Sequence, residues 1–181
     1  MKLLIASDIH GCSSSARKLV EYFEKEKCDK MLLLGDILYH GPRNNLPDEY
    51  DCKEVIALLN PLKEKIWCVR GNCDAEVDQM VLEFPLTSEY MQIPVEEKTI
   101  FATHGHHFGP DKLPPIGSGD ILLCGHFHVP AHKQIEDVLY LNPGSTSIPK
   151  GGSEKSFMIL DGRTFTWRRI EDGSVYDTLE I

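Results

Sequence analysis

Five short apolar runs in this chain end on the same kind of punctuation, an Asp, Asn or His set beside glycine. Residues 2–7 run into Asp8-Ile9-His10-Gly11, and Met31-Leu32-Leu33-Leu34 runs into Gly35-Asp36. Ile66-Trp67-Cys68-Val69 runs into Arg70-Gly71-Asn72-Cys73-Asp74. Further on, Thr99-Ile100-Phe101-Ala102 gives way to Thr103-His104-Gly105-His106, and Ile121-Leu122-Leu123-Cys124 to Gly125-His126-Phe127-His128. Short uninterrupted apolar runs bounded by turn residues read as strands buried on both faces.

Helical periods separate the first three runs. Ala16, Leu19, Val20 and Phe23 form an apolar stripe over 13–27, behind a serine cluster suited to N-capping. Cys52, Val55, Ile56 and Leu59 form another over 52–60, opened by an Asp51/Glu54 capping box and closed by Pro61. Such alternation implies parallel βαβ units with right-handed crossovers. Residues 90–104, 120–124, 134–141, 156–161, 164–170 and 175–180 then read as strands separated by Gly, Pro and Asp. The expected fold is α/β, a two-sheet β-sandwich flanked by helices, with residues 1–181 forming one domain.

Composition removes several function classes. Lys+Arg 19 against Asp+Glu 28 leaves a net charge of −9, with no basic stripe for a dedicated nucleic-acid surface. A small phosphate substrate stays open, because bound cations supply positive charge locally. No apolar run approaches the ~20 residues of a membrane span, and the apolar start stops at Asp8, so it reads as a first strand rather than a signal peptide. The six cysteines are scattered without a CxxC pair, which points to free thiols in a reducing cytoplasm.

Carboxyl ends of strands form the ligand crevice of open α/β sheets. Any one of these residues alone has an ordinary explanation; an Asp after a strand is usually a turn former. Their joint occurrence, each at the end of its own run, is a constellation. Asp8, His10, Asp36, Asn72, His104, His126 and His128 offer two carboxylates, one amide oxygen and four imidazoles. That thiolate-free set suits Mn²⁺, Fe²⁺, Co²⁺, Ni²⁺ or Zn²⁺. Seven ligands exceed one tetrahedral ion and suit two divalent ions sharing a carboxylate.

The order Asp8-x-His10, Gly35-Asp36, Gly71-Asn72-x-Asp74, His104-Gly105-His106 and Gly125-His126-x-His128 resembles the calcineurin-like metallophosphoesterases. The surrounding His40-Gly41-Pro42-Arg43-Asn44, Phe108-Gly109-Pro110 and Asn142-Pro143-Gly144-Ser145 are similar to their YfcE-type branch of bacterial phosphodiesterases. The resemblance implies one metal on Asp8, His10, Asp36 and His128, and a second on Asp36, Asn72, His104 and His126, with Asp36 bridging. It also implies manganese as a usual ion, small phosphodiester substrates, and homo-oligomers, dimers or tetramers, in some members.

The expected reaction is hydrolysis of a phosphodiester by a hydroxide held between the two metal ions. The charges of two divalent ions, two carboxylates, hydroxide and a diester cancel, whereas a monoester dianion leaves one negative excess. A phosphomonoesterase on the same site is the alternative, since Arg43 could balance that excess. A non-catalytic scaffold is disfavoured because no ligand position is lost. Cys73 stands where the wider superfamily has a histidine that donates to the leaving group; a thiol donates weakly, so poor alkoxide leaving groups should react slowly. Cys73 as a small packing residue is the competing reading. Asp74 is expected to orient a neighbouring group, His106 to act on the substrate side or behind a ligand, and His40 and Arg43 to contact phosphate. The stretch from Phe108 to Gly119 is expected to wall the site, and Asn142–Ser145 reads as a turn.

Overall fold

The computed structural model describes residues 1–181. Its first half alternates strands and helices: β1 (Lys2–Ala6), α1 (Ser13–Lys25), β2 (Lys30–Leu33), α2 (Cys52–Leu59) and β3 (Ile66–Cys68). β1, β2 and β3 run parallel. The second half contributes β4 (Tyr90–Val95), β5 (Lys98–Thr103), β6 (Ile121–Cys124), β7 (Ala131–Ile135), β8 (Val138–Asn142), β9 (Ser156–Asp161), β10 (Thr164–Arg169) and β11 (Val175–Glu180). One mixed sheet has the order β11-β10-β9-β1-β2-β3, the other β4-β5-β6-β8-β7.

Period-two alternation feeds two cores from each central strand. Leu3, Ile5 and Leu32 face the second sheet and meet Ile100, Ala102, Ile121 and Leu123 between the layers. Leu4, Ala6, Met31 and Leu33 face the other way, onto Ala16, Leu19, Phe23, Val55 and Leu59 of the two helices. Helices therefore cover only one outer face. The other is covered by Phe108, Leu113 and Ile116, which pack on Phe101, Leu122 and Tyr140. That stretch lies on the outside of the second sheet rather than walling the candidate site.

Five local expectations need correction. The serine cluster does not cap α1: Cys12 is the N-cap and makes no side-chain capping bond. Ser13 Oγ donates instead to the Glu49 carbonyl, and Ser15 Oγ to the Thr146 carbonyl. Pro61 does not stop the winding, because a 3₁₀ segment, Asn60–Lys65, carries Pro61 in its first turn, where a missing N–H costs nothing. Residues 90–104 are a hairpin turning at Glu96-Glu97, with Val95 opposite Lys98. Residues 134–141 likewise turn at Glu136-Asp137, with Ile135 opposite Val138. Half of the Asp51/Glu54 box forms: Asp51 accepts from the Glu54 N–H at 3.0 Å, while the Glu54 carboxylate pairs with Arg17. All six cysteines are free thiols, and no helix is long and apolar enough to cross a membrane.

Candidate metal centre

The two sheets present their strand ends to one place. Asp8 and His10 follow β1, Asp36 follows β2, Asn72 follows β3, His104 follows β5, and His126 and His128 follow β6. The crevice is thus shared by two stacked sheets rather than by one open sheet.

The side chains fall into two clusters joined at one carboxylate. On one side, Asp8 Oδ1 lies 3.2 Å from His128 Nε2 and 3.6 Å from His10 Nε2, and the two ring nitrogens are 3.4 Å apart. On the other, His104 Nε2 lies 3.0 Å from Asn72 Oδ1 and 3.2 Å from His126 Nδ1. Asp36 Oδ2 sits between, 3.7 Å from His10 Nε2 and 3.4 Å from His104 Nε2. Its other oxygen accepts from the Cys73 N–H at 2.7 Å, which fixes the carboxylate's rotation.

Tautomers follow from the backbone. The Nδ1 atoms of His10, His104 and His128 face the carbonyls of Tyr39, Leu34 and Ile148 at 2.8, 2.6 and 2.5 Å. A carbonyl only accepts, so each Nδ1 carries the proton and each neutral ring turns a lone pair on Nε2 inward. Asp8 Oδ1, fully buried, has no hydrogen-bond donor. A buried acceptor left bare beside converging lone pairs is costly unless a cation supplies the missing partner, so the donor set fits divalent metal.

Without an ion these groups hold one another. Burial pushes Asp8 up, but the adjoining His10, His128 and His104 rings outweigh it and hold the carboxyl well below its usual range. Burial also opposes the charge on Asp36, and the His104 ring holds that carboxyl down. For His104 burial acts downward, yet Asp36 and Asp8 raise it to about 9. Burial and the His104 charge lower His126, and with His107 they lower His106 to about 4. The Cys73 thiol is pushed up to about 12 by burial and by Asp36.

Backbone strain concentrates here. Asp8, His10, Asp36, His126 and His128 have φ of 56°, 49°, 56°, 63° and 59°, a left-handed region that costs side-chain-bearing residues about 1–2 kcal/mol each. With left-handed φ at both positions, His126 and His128 send their rings to different clusters, His126 to His104 and His128 to Asp8. Asp74 is buried and accepts from the N–H groups of Asp36, Ile37 and Gly71 at 2.8, 2.8 and 2.7 Å. It ties the Asp36 turn to the Asn72 turn. Gly71 makes this approach feasible, since a side chain there would overlap Asp36 Oδ1.

Three positioning residues had no clear signal in the sequence. Ser145 Oγ and Ser147 Oγ both donate to the Asp8 carbonyl, at 2.9 and 2.7 Å. Asn142 Nδ2 donates to the Gly125 carbonyl at 2.8 Å, steadying the turn that carries His126. The Asn142–Ser145 segment reads only as a turn, because nothing in its composition tells which distant carbonyl it will grip.

The cleft over the clusters has a volume of about 410 Å³; Asp36, Asn72, Cys73, His126 and His128 share its lining with Arg43, Asn44, Phe127 and Lys150. His40 is not in this lining: its ring packs edge-on between Tyr39 and Tyr50. The exposed His106 lines a neighbouring hollow with Arg70, Glu89 and His107 on the far side of Asn72. Another hollow, of about 510 Å³ near Lys18, Lys155 and Arg169, contains none of the converging groups.

Known proteins resemble this chain in sequence and fold. Residues 1–164 match the family model of the calcineurin-like phosphoesterase superfamily domain. The chain is 43% identical over 181 residues to the phosphodiesterase YfcE of Escherichia coli, covering 100% of this chain and 98% of that protein. A solved structure of the Escherichia coli protein superposes with a TM-score of 0.96 at 42% identity, over 100% of both chains. A zinc complex of Vps29 from Entamoeba histolytica, 20% identical over 99% of each chain, shares the fold with a TM-score of 0.62. With a full-length relative, a matching family model and a superposable sandwich, the chain belongs to the calcineurin-like phosphoesterase superfamily.

Proposed function

We propose that this protein is a metal-dependent phosphodiesterase, a hydrolase acting on phosphoric ester bonds. The observation that carries the reading is the buried, bare Asp8 Oδ1 beside the Nε2 atoms of His128 and His10, the latter also facing the Asp36 carboxylate. The full-length likeness to the phosphodiesterase YfcE supports the diester as substrate class.

Asp8, His10, Asp36 and His128 would hold one divalent cation, and Asp36, Asn72, His104 and His126 a second; the family resemblance favours manganese, and zinc, iron, cobalt or nickel also suit this oxygen- and imidazole-rich set. When bound, such a pair activates water and neutralises phosphate charge. The chain's own residues supply the rest. Arg43 and Lys150 line the cleft and attract the phosphate oxygens. Asn72 uses its amide oxygen toward His104 and its amide N–H toward Cys73 Sγ, 3.3 Å away. Cys73 lines the cleft as a weak donor to the leaving oxygen. Asp74 positions the Asp36 and Asn72 turns rather than meeting substrate, and His106 lines the adjoining hollow beside Asn72. Six unpaired thiols suit a reducing compartment such as the cytoplasm.

The test is a comparison of bis-aryl and mono-aryl phosphates with manganese added to chelator-treated protein. Faster diester turnover, abolished by chelator while the melting transition stays cooperative, is the expected result. A monoester rate clearly above the diester rate would assign the site to phosphomonoesters, and inactivity on both would remove the enzyme reading.

A further inference from the structure

The seven oxygen and nitrogen donors leave out one atom that the fold places beside them. Cys73 Sγ and ligand atoms of His10 and Asp36 lie within 4.8 Å of one another. We propose that Cys73 is a conditional ligand of this centre, its thiolate closing the coordination shell around thiophilic ions such as zinc while leaving manganese open to water. The inference rests on the metal-dependent reading above and adds a selectivity device to it.

Three contacts aim the sulfur at the ions. The Cys73 N–H donates to Asp36 Oδ1 at 2.7 Å, so residue 73 moves with the shared carboxylate. Asn72 Nδ2 donates to Sγ at 3.3 Å, which favours negative charge on sulfur. Behind it, the left-handed Gly41 presents bare backbone where a Cβ would come within 2.9 Å of Sγ. An independent sign that a cation belongs on this side is the unpartnered, buried Asp8 Oδ1. No other cysteine competes: Cys12 Sγ and Cys52 Sγ have partners near Asp48 and Leu38, and Cys28, Cys68 and Cys124 are buried in the cores.

The chemistry separates the ions. Zinc favours four ligands and binds thiolate strongly, and a site closed by four protein ligands holds no water. Cys73, His10 and Asp36 supply three ligands of such a shell, and Asp8 and His128, which flank His10, are the candidates for the fourth. Manganese prefers oxygen and nitrogen donors at higher coordination number and has little affinity for sulfur. As the sulfur–zinc bond forms, the S–H proton passes to solvent, as happens for any coordinating thiol. Zinc would then bind tightly and inhibit, and the thiol would stay uncommitted in the manganese form.

Cobalt titration of the metal-free full-length protein tests this by a signal independent of turnover. The wild type should show a thiolate-to-cobalt charge-transfer band in the near ultraviolet, absent from Cys73→Ser and Cys73→Ala. Zinc affinity, measured by competition with a chromophoric chelator, should fall at least about tenfold in both variants, while manganese affinity changes less than about twofold. Visible d–d bands without the charge-transfer band would overturn the proposal yet leave the metal-dependent reading standing. A charge-transfer band that survives in both variants, or an unchanged zinc affinity, would also overturn it. Failure of the wild type to bind cobalt, zinc or manganese would remove both.

Discussion

Removing the Asp74 carboxylate should loosen the centre without touching any group that faces substrate. In Asp74→Ala, three N–H groups of Asp36, Ile37 and Gly71 lose an acceptor now at 2.7–2.8 Å. Hydrogen bonds to a charged, buried acceptor are worth about 1.5–3 kcal/mol each, so three set a ceiling of roughly 4–9 kcal/mol. Water entering the vacated space recovers part of that, and the expected loss is about 3–5 kcal/mol. This is a large share of the ~5–15 kcal/mol that holds a typical domain.

Urea denaturation of chelator-treated protein measures the loss free of any contribution from bound ion. Its midpoint should fall while the slope is unchanged. Asp74→Asn keeps an acceptor oxygen but points an amide N–H₂ at one backbone donor, so it should fall between wild type and Asp74→Ala. Manganese affinity by calorimetry should drop in the same order, because the Asp36 and Asn72 turns are no longer tied together. A variant with wild-type stability and metal affinity but no turnover would refute the positioning role and place Asp74 in the chemistry itself.

Other perturbations follow from the same geometry. Asp36→Asn should lose nearly all turnover and bind less than the full complement of manganese, since a neutral amide bridges cations poorly; metal analysis alongside rate measurements checks it, and wild-type values for both would be incompatible with Asp36 as the shared ligand. The metal-free protein should lose stability as pH rises from about 6.5 to about 9, because a raised histidine stabilises fully below its unfolded pKa and ceases to do so as His104 deprotonates in the folded state. Manganese affinity should climb over that window as the ion replaces the His104 proton; chemical denaturation and calorimetry at several pH values test both trends. Cys73→His should raise turnover on diesters with poorer leaving groups by about tenfold or more, general-acid assistance being worth roughly 10²–10⁴-fold when fully developed; no gain, or equal loss on every diester, would contradict the donor role.

The strands and the order of the polar residues were legible because buried strands appear as unbroken apolar runs, and each run stopped at a group that chemistry favours. The turns were legible only where glycine marks them. β9 and β10 turn at Gly162-Arg163, with Asp161 opposite Thr164, and the sequence divides there at once. The turns at Glu96-Glu97 and Glu136-Asp137 have the same spacing, but Glu96 and Glu136 take φ of 53° and 51° with side chains that usually avoid it. Charged residues in that conformation carry no turn signal, so each hairpin merged into one segment. Arg43 lines the cleft as its loop position suggests, whereas His40, three residues earlier, turns its ring toward Tyr39 and Tyr50. Sequence proximity could not separate them.

What remained hidden in the sequence is chiefly backbone work. Five of the seven proposed ligands adopt left-handed φ, a combined cost of roughly 5–10 kcal/mol at about 1–2 kcal/mol each. Such strain persists only where the surroundings over-determine it, and the determinants here are ordinary side chains gripping main-chain groups. Asp74 holds the Asp36 turn, Ser145 and Ser147 hold the Asp8 carbonyl, and Asn142 holds Gly125 ahead of His126. Gly125 completes the set by lacking a side chain where a Cβ would overlap Ser7 Oγ. A relaxed αR or β backbone at Asp8 or His128 would swing the ligand away from the 3.2 Å approach seen between them. The sequence names the proposed ligands, but their convergence depends on this unadvertised scaffold of serines, an asparagine and a buried aspartate.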